Sequence, residues 1–207
     1  LFGFQIRIWY SEFNGKMGGI VMVKRCDWAT GSPVMERYHD EEWCRPQHDL
    51  QKLFEMLCLE TYQAGLSWQT VLNKRAAFRR DFDDFDIAKV AAMTPADIDR
   101  LLTDTAIIRN RRKLEATVNN AQVLANWPAG PDFATWLWAF VGGQPIRHAV
   151  QSTDQIPATT DLAQHISREM KKRGFKFVGP TTIYAFLQGA GLVNDHVLSC
   201  DWAPENK

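Results

Sequence analysis

The sequence has no net charge to spend on a partner: 24 Lys and Arg balance 24 Asp and Glu. Long-range attraction for a polyanion is therefore absent, and any nucleic-acid contact must rest on a local basic face. Four cysteines without regular spacing exclude the disulfide framework of a small secreted domain. No apolar run reaches transmembrane length, and no alternation of apolar and polar residues persists as it would in a strand. Repeats and low-complexity tracts are absent as well. Leu1 to Val21 lack the basic start, sustained apolar middle and small-residue cleavage site of a signal peptide. We expect residues 1–21 to be an added, disordered leader and Met22 to open the native chain. The expected setting is cytoplasmic, with thiols reduced or metal-bound and no membrane partner.

What is abundant is aromatic surface. Eight Trp in 207 residues exceed what a core alone calls for, and Trp is the best stacking face for bases and cations. The elements read as all-α. Asp49 can cap a helix whose Leu50, Leu53, Phe54 and Leu57 share a face, ending near Gly65; Ser67 caps the next, with Val71, Leu72, Phe78 and Phe82 inside. Thr94-Pro95 starts a short helix, a turn follows at Thr103 to Ala106, and a long helix runs from about Ile108. This predicts a helix-hairpin-helix over about 95–126, with Arg109 to Lys113 opening its second helix. Turn amides and a helix N-terminus can meet a phosphate there, which makes Ala106, Arg109 and Lys113 candidate DNA contacts. Asp132 caps an aromatic helix, residues 142–157 read as connection, and two further helices start at Asp161 and Pro180. Residues 22–207 are expected to form one compact helical domain.

Two constellations could carry chemistry. In Leu59 to Trp68, Glu60 ends an apolar helix, Gly65-Leu66 makes a turn, and Trp68 opens the next helix. A carboxylate and an indole across a turn could grip a flat, polar or cationic ring; Glu60 could equally be a surface residue at a helix end. The second set is Cys26-x12-His39 with His196-x3-Cys200, two sulfurs and two imidazoles suited to tetrahedral Zn²⁺. The spacing leaves two readings open, one joint site or separate buried cysteines and hydrogen-bonded histidines. If the halves meet, four protein ligands close the coordination sphere and the metal is structural. His39-Asp40-Glu41 matches the H-x-E of nucleobase deaminases, but the required P-C-x-x-C is missing. Cys44 and Cys58 read as small buried hydrophobes.

Taken together, several blocks resemble the 3-methyladenine DNA glycosylase I family, a branch of the helix-hairpin-helix glycosylases. They include Arg25-Cys26-x-Trp28, Tyr38-His39-Asp40-x-Glu42-Trp43, Lys52 to Met56, Gln63-Ala64-Gly65-Leu66-Ser67-Trp68, Lys172 to Gly179 and Gly191 to His196, collinear from Arg25 to about Cys200. The resemblance implies a monofunctional enzyme that flips and excises 3-methyladenine from double-stranded DNA, acting as a monomer. It implies a structural zinc on Cys26, His39, His196 and Cys200 that joins the chain ends. It places base binding on Glu60, Tyr38, Trp68 and Trp28 with Trp43 beside them, Glu60 being the candidate catalytic residue. Gln63 and the Gly65-Leu66 turn fall on the loop that enters the duplex.

The residues allow alternatives beside this. Tyr38, Trp28 and Trp43 can serve as pocket or as core. No Lys stands out as a Schiff-base nucleophile, so no lyase step is expected, and no Asp is singled out as a base for water. The rival from another class is a zinc-stapled module that binds alkylation damage without excising it. Three positions depart from the family pattern: Ala106 where Gly is usual, Cys44 where Gly is usual, and Tyr62 in place of a polar residue. Ala106 is expected to weaken phosphate contact, and Tyr62 and Cys44 to reshape the pocket wall.

Overall fold

The computed structural model describes residues 23–203, so the expected leader lies outside the described residues. Most of the helix starts are fixed by short polar side chains that accept an orphan amide hydrogen, each stabilising by ~1 kcal/mol. After a 3-10 turn at Asp27–Ala29, helix α1 (Pro33–Glu41) begins with proline in its first turn. The side chain of Asp49 caps α2 (Leu50–Gln63) and that of Ser67 caps α3 (Trp68–Asp81). Asp86 caps α4 (Ile87–Ala91), and Thr94 with Asp97 forms a reciprocal capping box on α5 (Pro95–Leu101). Asn110 caps α6 (Arg111–Ala125), Asp132 caps α7 (Phe133–Ala139) and Thr160 caps α8 (Asp161–Lys172). Helix α9 (Pro180–Gly189) again opens on proline.

Helix α2 is the centre of the packing. Its residues from Leu53 to Tyr62 are all buried, so it has no solvent face along that stretch, and α3, α6, α7 and α9 surround it. A helix apolar nearly all round must sit inside the core. The one strongly ionic position in its middle, Glu55, is satisfied by Arg75 and Arg79 at 2.7 Å each. Among the described residues no helix is long and apolar enough to cross a membrane.

The all-α expectation needs one correction. Ile146–Arg147 (β1) pairs in parallel with Val193–Asn194 (β2), and a single bridge joins Val150 to Val197. Strands of two residues are too short to leave an alternating pattern, which is why residues 142–157 read only as connection. The pairing lays that segment along the chain leading into His196 and Cys200.

Candidate functional site

Neighbouring residues on α1 diverge by about 100° around the helix, and this splits the site in two. Tyr38 turns toward the start of α3, where its ring lies 5.2 Å from that of Trp68 at 61°. Glu60, in the last turns of α2, is 5% exposed. Its Oε2 and the Nε1 of Trp68 are buried without a hydrogen-bond partner in the protein. Buried unpaired polar atoms cost ~1–3 kcal/mol each, so a fold retains them where something else is to satisfy them. Burial pushes the Glu60 carboxyl up to about 8. Burial and the nearby Glu60 likewise push the Tyr38 phenol well up. Tyr38 Oη has only a weak contact to Met56 Sδ at 3.8 Å. Gly189 completes this wall, because a Cβ there would come within 3.0 Å of Tyr38 Oη and 2.8 Å of Met56 Sδ.

Half-buried Trp28 extends the aromatic lining, 6.3 Å from Tyr38 and 4.8 Å edge-on from Trp43. Trp43 also stacks on His39 and meets His196 edge-on at 4.6 Å. Trp28 itself meets His39 edge-on at 5.4 Å, so Trp28 and Trp43 together border the imidazoles.

On the far side, Cys26, His39, His196 and Cys200 come together with their donor atoms all within 4.8 Å of one another, every one buried. Cys26 Sγ lies 3.6 Å from His196 Nδ1, and Cys200 Sγ lies 3.5 Å from both His39 Nε2 and His196 Nδ1. A tetrahedral ion with bonds of about 2.3 Å to sulfur and about 2.05 Å to nitrogen has S···N edges of about 3.6 Å. The donor set therefore fits a tetrahedral metal in both chemistry and spacing. Hydrogen bonding from Cys26, together with both imidazoles, favours the thiolate of Cys200 despite its burial. Outside the donors, His39 Nδ1 meets Asp40 Oδ1 at 2.9 Å, and Asp40 is held in turn by Arg25 at 2.7 Å. Such an outer carboxylate fixes the ring nitrogen that faces a metal. These partners were inside the quoted blocks, yet only the fold shows that they act on His39.

The turn after α2 is built around Gly65 at φ +84, a backbone region that favours glycine. It leaves Leu66 42% exposed, with Gln63 half-buried at the helix end. Lys113, a candidate phosphate contact, has its ammonium engaged within the protein. It is 6% exposed, and its ammonium donates to the carbonyls of Tyr62 (3.0 Å) and Ala64 (2.8 Å). Lying on the inner side of α6, it caps the C-terminus of α2 and holds the turn. Arg109 and Ala106 remain exposed. Ala106 donates its N–H to Asp104 at 2.6 Å, and it is not among the described residues with positive φ, so alanine meets no left-handed penalty there.

The other two departures also resolve. Tyr62, two residues from Glu60, points about 200° away into the core, fully buried, with its hydroxyl 3.0 Å from Thr117 Oγ1 and its ring 4.3 Å from Phe78. It forms no part of the recess wall. Cys44 has φ +59 and donates its N–H to Gln188 at 2.9 Å, a conformation that glycine adopts more readily.

Fold and site together define a helical protein with a cluster of aromatic rings near a buried acid and a buried four-donor Cys/His cluster. The chain belongs to the methyladenine glycosylase family, whose model matches residues 28–203. It is 46% identical over 186 residues to DNA-3-methyladenine glycosylase 1 of Escherichia coli (strain K12), covering 89% of this chain and 100% of that protein. A crystal structure of 3-methyladenine DNA glycosylase I superposes with a TM-score of 0.85 at 48% identity, covering 87% of this chain and 100% of the other. The Staphylococcus aureus 3-methyladenine DNA glycosylase I, solved to show its recognition of 3-methyladenine, superposes with a TM-score of 0.82 at 40% identity, covering 88% and 96%.

Proposed function

We propose that this chain is a monofunctional DNA glycosylase that flips 3-methyladenine out of double-stranded DNA and hydrolyses its N-glycosidic bond. The observation that carries the reading is the pair of buried, unpartnered polar atoms, Glu60 Oε2 and Trp68 Nε1, with the Tyr38 ring 5.2 Å from that of Trp68. N3-methylation gives the adenine ring a positive charge. A ring of that kind satisfies an acid, an indole donor and a stacking face at once. Extrusion costs a few kcal/mol, least for a poorly paired base; stacking on Trp68 returns ~1–3 kcal/mol, with a cation–π increment for the charged ring.

In the free protein the Glu60 carboxyl, pushed up to about 8 by burial, holds its proton at neutral pH. A cationic ring favours the carboxylate, so recognition and loss of that proton are coupled, and the carboxylate can then accept from the exocyclic amine. In the chemical step water forms a bond to C1′ and the C1′–N9 electron pair departs with the base, cancelling its positive charge. The proton lost by water goes to solvent or to Glu60. The weak bond is supplied by the methylation itself, so strong protonation of the leaving group is unnecessary.

In this reading Gln63 and the Gly65-Leu66 turn enter the duplex where the nucleotide leaves it. Helix α5, its following turn and α6 act as the helix-hairpin-helix, with Ala106 and Arg109 toward phosphate, within one catalytic domain over residues 22–207. Cys26, His39, His196 and Cys200 would hold zinc with no position left for water, so the ion ties the chain ends and takes no part in hydrolysis.

The test is release of free 3-methyladenine from methylated duplex DNA, expected with the parent protein and reduced at least ~100-fold in Glu60→Gln, a loss typical of a group acting on transition-state charge. Tight binding of the lesion with no release at high protein concentration would instead make this a damage-binding module.

A further inference from the structure

Three helices each hold one member of the site: α1 carries Tyr38, the last turns of α2 carry Glu60, and α3 opens on Trp68. One side chain is bonded across all three. Arg75, on α3, donates from Nη1 to both carboxylate oxygens of Glu42, at 2.7 and 2.8 Å, and from Nε to Glu55 Oε1 at 2.7 Å. Glu42 follows the last turn of α1, and its N–H donates to the carbonyl of Tyr38 at 2.9 Å. Glu55 lies on α2. Arg75 itself stands seven residues after Trp68, about 20° short of two full turns, so both project from one stripe of α3. The bridge and the Tyr38–Trp68 ring pair therefore lie along the same seam between α1 and α3. Gln69 Nε2 ties the start of that seam, donating to Ser32 Oγ at 3.0 Å.

Both ends of the bridge are felt at the site. Burial, Glu60 and Cys44 push the Tyr38 phenol up most; Glu42 adds to the rise and Arg75 opposes it. The Arg75 side chain is 15% exposed, against 45% for Arg79, which donates to Glu55 alone among the described residues. Arg79 thus fastens α3 to α2 and leaves α1 untouched. The fork of Arg75 matters, because a planar guanidinium sets two carboxylates at fixed angles and a lysine ammonium cannot. A largely buried ionic cluster adds little net stability over apolar packing of the same volume, so what this one supplies is geometry.

We propose that Arg75 is a positioning residue for base recognition: by holding Glu42 and Glu55 in one fork it sets the spacing and tilt of the Tyr38 and Trp68 rings against which the methylated base is bound. It acts through those rings and not by contact with the base. The assignment rests on the reading that these rings receive 3-methyladenine.

The experiment compares Arg75→Lys and Glu42→Met with Arg79→Lys as control, all in the full chain. Quenching of tryptophan fluorescence by free 3-methyladenine gives base affinity, and thermal melting gives stability. The indole N–H resonance of Trp68, assigned by its loss in Trp68→Phe, reports the ring without any ligand. Arg75→Lys keeps the charge and loses the fork; Glu42→Met cuts the α1 arm at a more exposed residue and keeps the test open if Arg75→Lys does not fold. Each is expected to weaken base affinity roughly tenfold, where a misplacement of about 1 Å costs up to ~100-fold, and to shift the Trp68 resonance. Arg79→Lys, on the same Glu55, should keep affinity within about twofold and the resonance in place, even where its melting temperature falls as far. Glu42→Gln, which keeps one acceptor for the fork, should recover most of the affinity lost in Glu42→Met. Parent-like affinity and resonance in both bridge variants would overturn the proposal, as would equal losses in Arg79→Lys, which would mark a structural role. A parent protein that neither binds 3-methyladenine nor releases it would sink the glycosylase reading, and the Trp68 resonance would then still decide whether Arg75 places the ring.

Discussion

The two halves of the site share a wall and differ in what they leave unsatisfied. In the Cys/His cluster each donor lies within reach of another, and the outer carboxylate Asp40 is itself anchored by Arg25. Beyond Trp28 and Trp43, Glu60 Oε2 and Trp68 Nε1 stay buried and unpaired, with Tyr38 Oη on a weak sulfur contact. A closed donor set is arranged for the fold; an open one is arranged for something outside the chain. Damage to the first should therefore cost stability, and damage to the second should cost function while relieving stress in the protein.

The largest effect is expected from breaking the closed side. Cys26→Ser should lower metal content measured by elemental analysis and depress the melting temperature by ~10 °C or more. A structural metal contributes many kcal/mol, and each kcal/mol moves a protein of this size by ~2–4 °C. Excision measured well below the new melting point should survive. A variant that loses metal yet melts like the parent would erase the distinction between the two halves.

Next comes Glu60→Gln, which should reduce excision while raising stability in alkaline buffer. Burial pushes the carboxyl up to about 8 in the folded protein, against its ordinary value of 4.5. Between those values the folded state keeps a proton that the unfolded chain has lost, so stability falls as pH rises through the window and is lowest above about 8. Removing the carboxyl should abolish that slope, making the variant more stable than the parent by on the order of 4 kcal/mol at pH 8 and nearly equal to it near pH 4.5. Parallel melting curves for parent and variant across this range would mean that Glu60 is not held under strain.

A smaller loss should follow from Lys113→Met, which strips two charge-assisted hydrogen bonds from the carbonyls of Tyr62 and Ala64. We expect ~2–3 kcal/mol of destabilisation and weaker excision through a misplaced Gly65-Leu66 turn. The salt dependence of DNA binding should not change, because this ammonium is engaged by two carbonyls of the chain; a slope lowered by about 1 would show that it meets a phosphate as well.

What the sequence disclosed follows the range of the interactions. Helix starts at Asp49, Ser67, Thr94 and Asp132 are legible because a cap acts on an amide three residues away. The Cys/His cluster spans most of the chain, and spacing alone left its two halves unjoined until the family resemblance supplied the pairing. Lys113 reads as one more charge in a basic run, since its burial depends on the end of α2, about fifty residues earlier. Strands β1 and β2 carry no pattern. Tyr62 looked like a pocket residue by sequence adjacency to Glu60, where helix geometry sets it on the opposite side.

The smallest effect is expected from a residue that belongs to neither half, Ala106. Its sequence context suggested a compromised phosphate contact, but the turn is held by Asp104 from the amide side and by Lys74 Nζ on the carbonyl at 3.0 Å, with no positive φ to penalise a Cβ. Restoring glycine would add backbone freedom to the unfolded chain and relieve no strain, so Ala106→Gly should destabilise by ~0.5–1 kcal/mol and change duplex affinity by less than about twofold, well short of a lost hot-spot contact. Thermal melting and duplex titration together check this. A gain of tenfold in affinity would show that the Cβ keeps a phosphate away from the turn, and the hairpin would then join the recess as a place where the chain is shaped for DNA at some cost to fit.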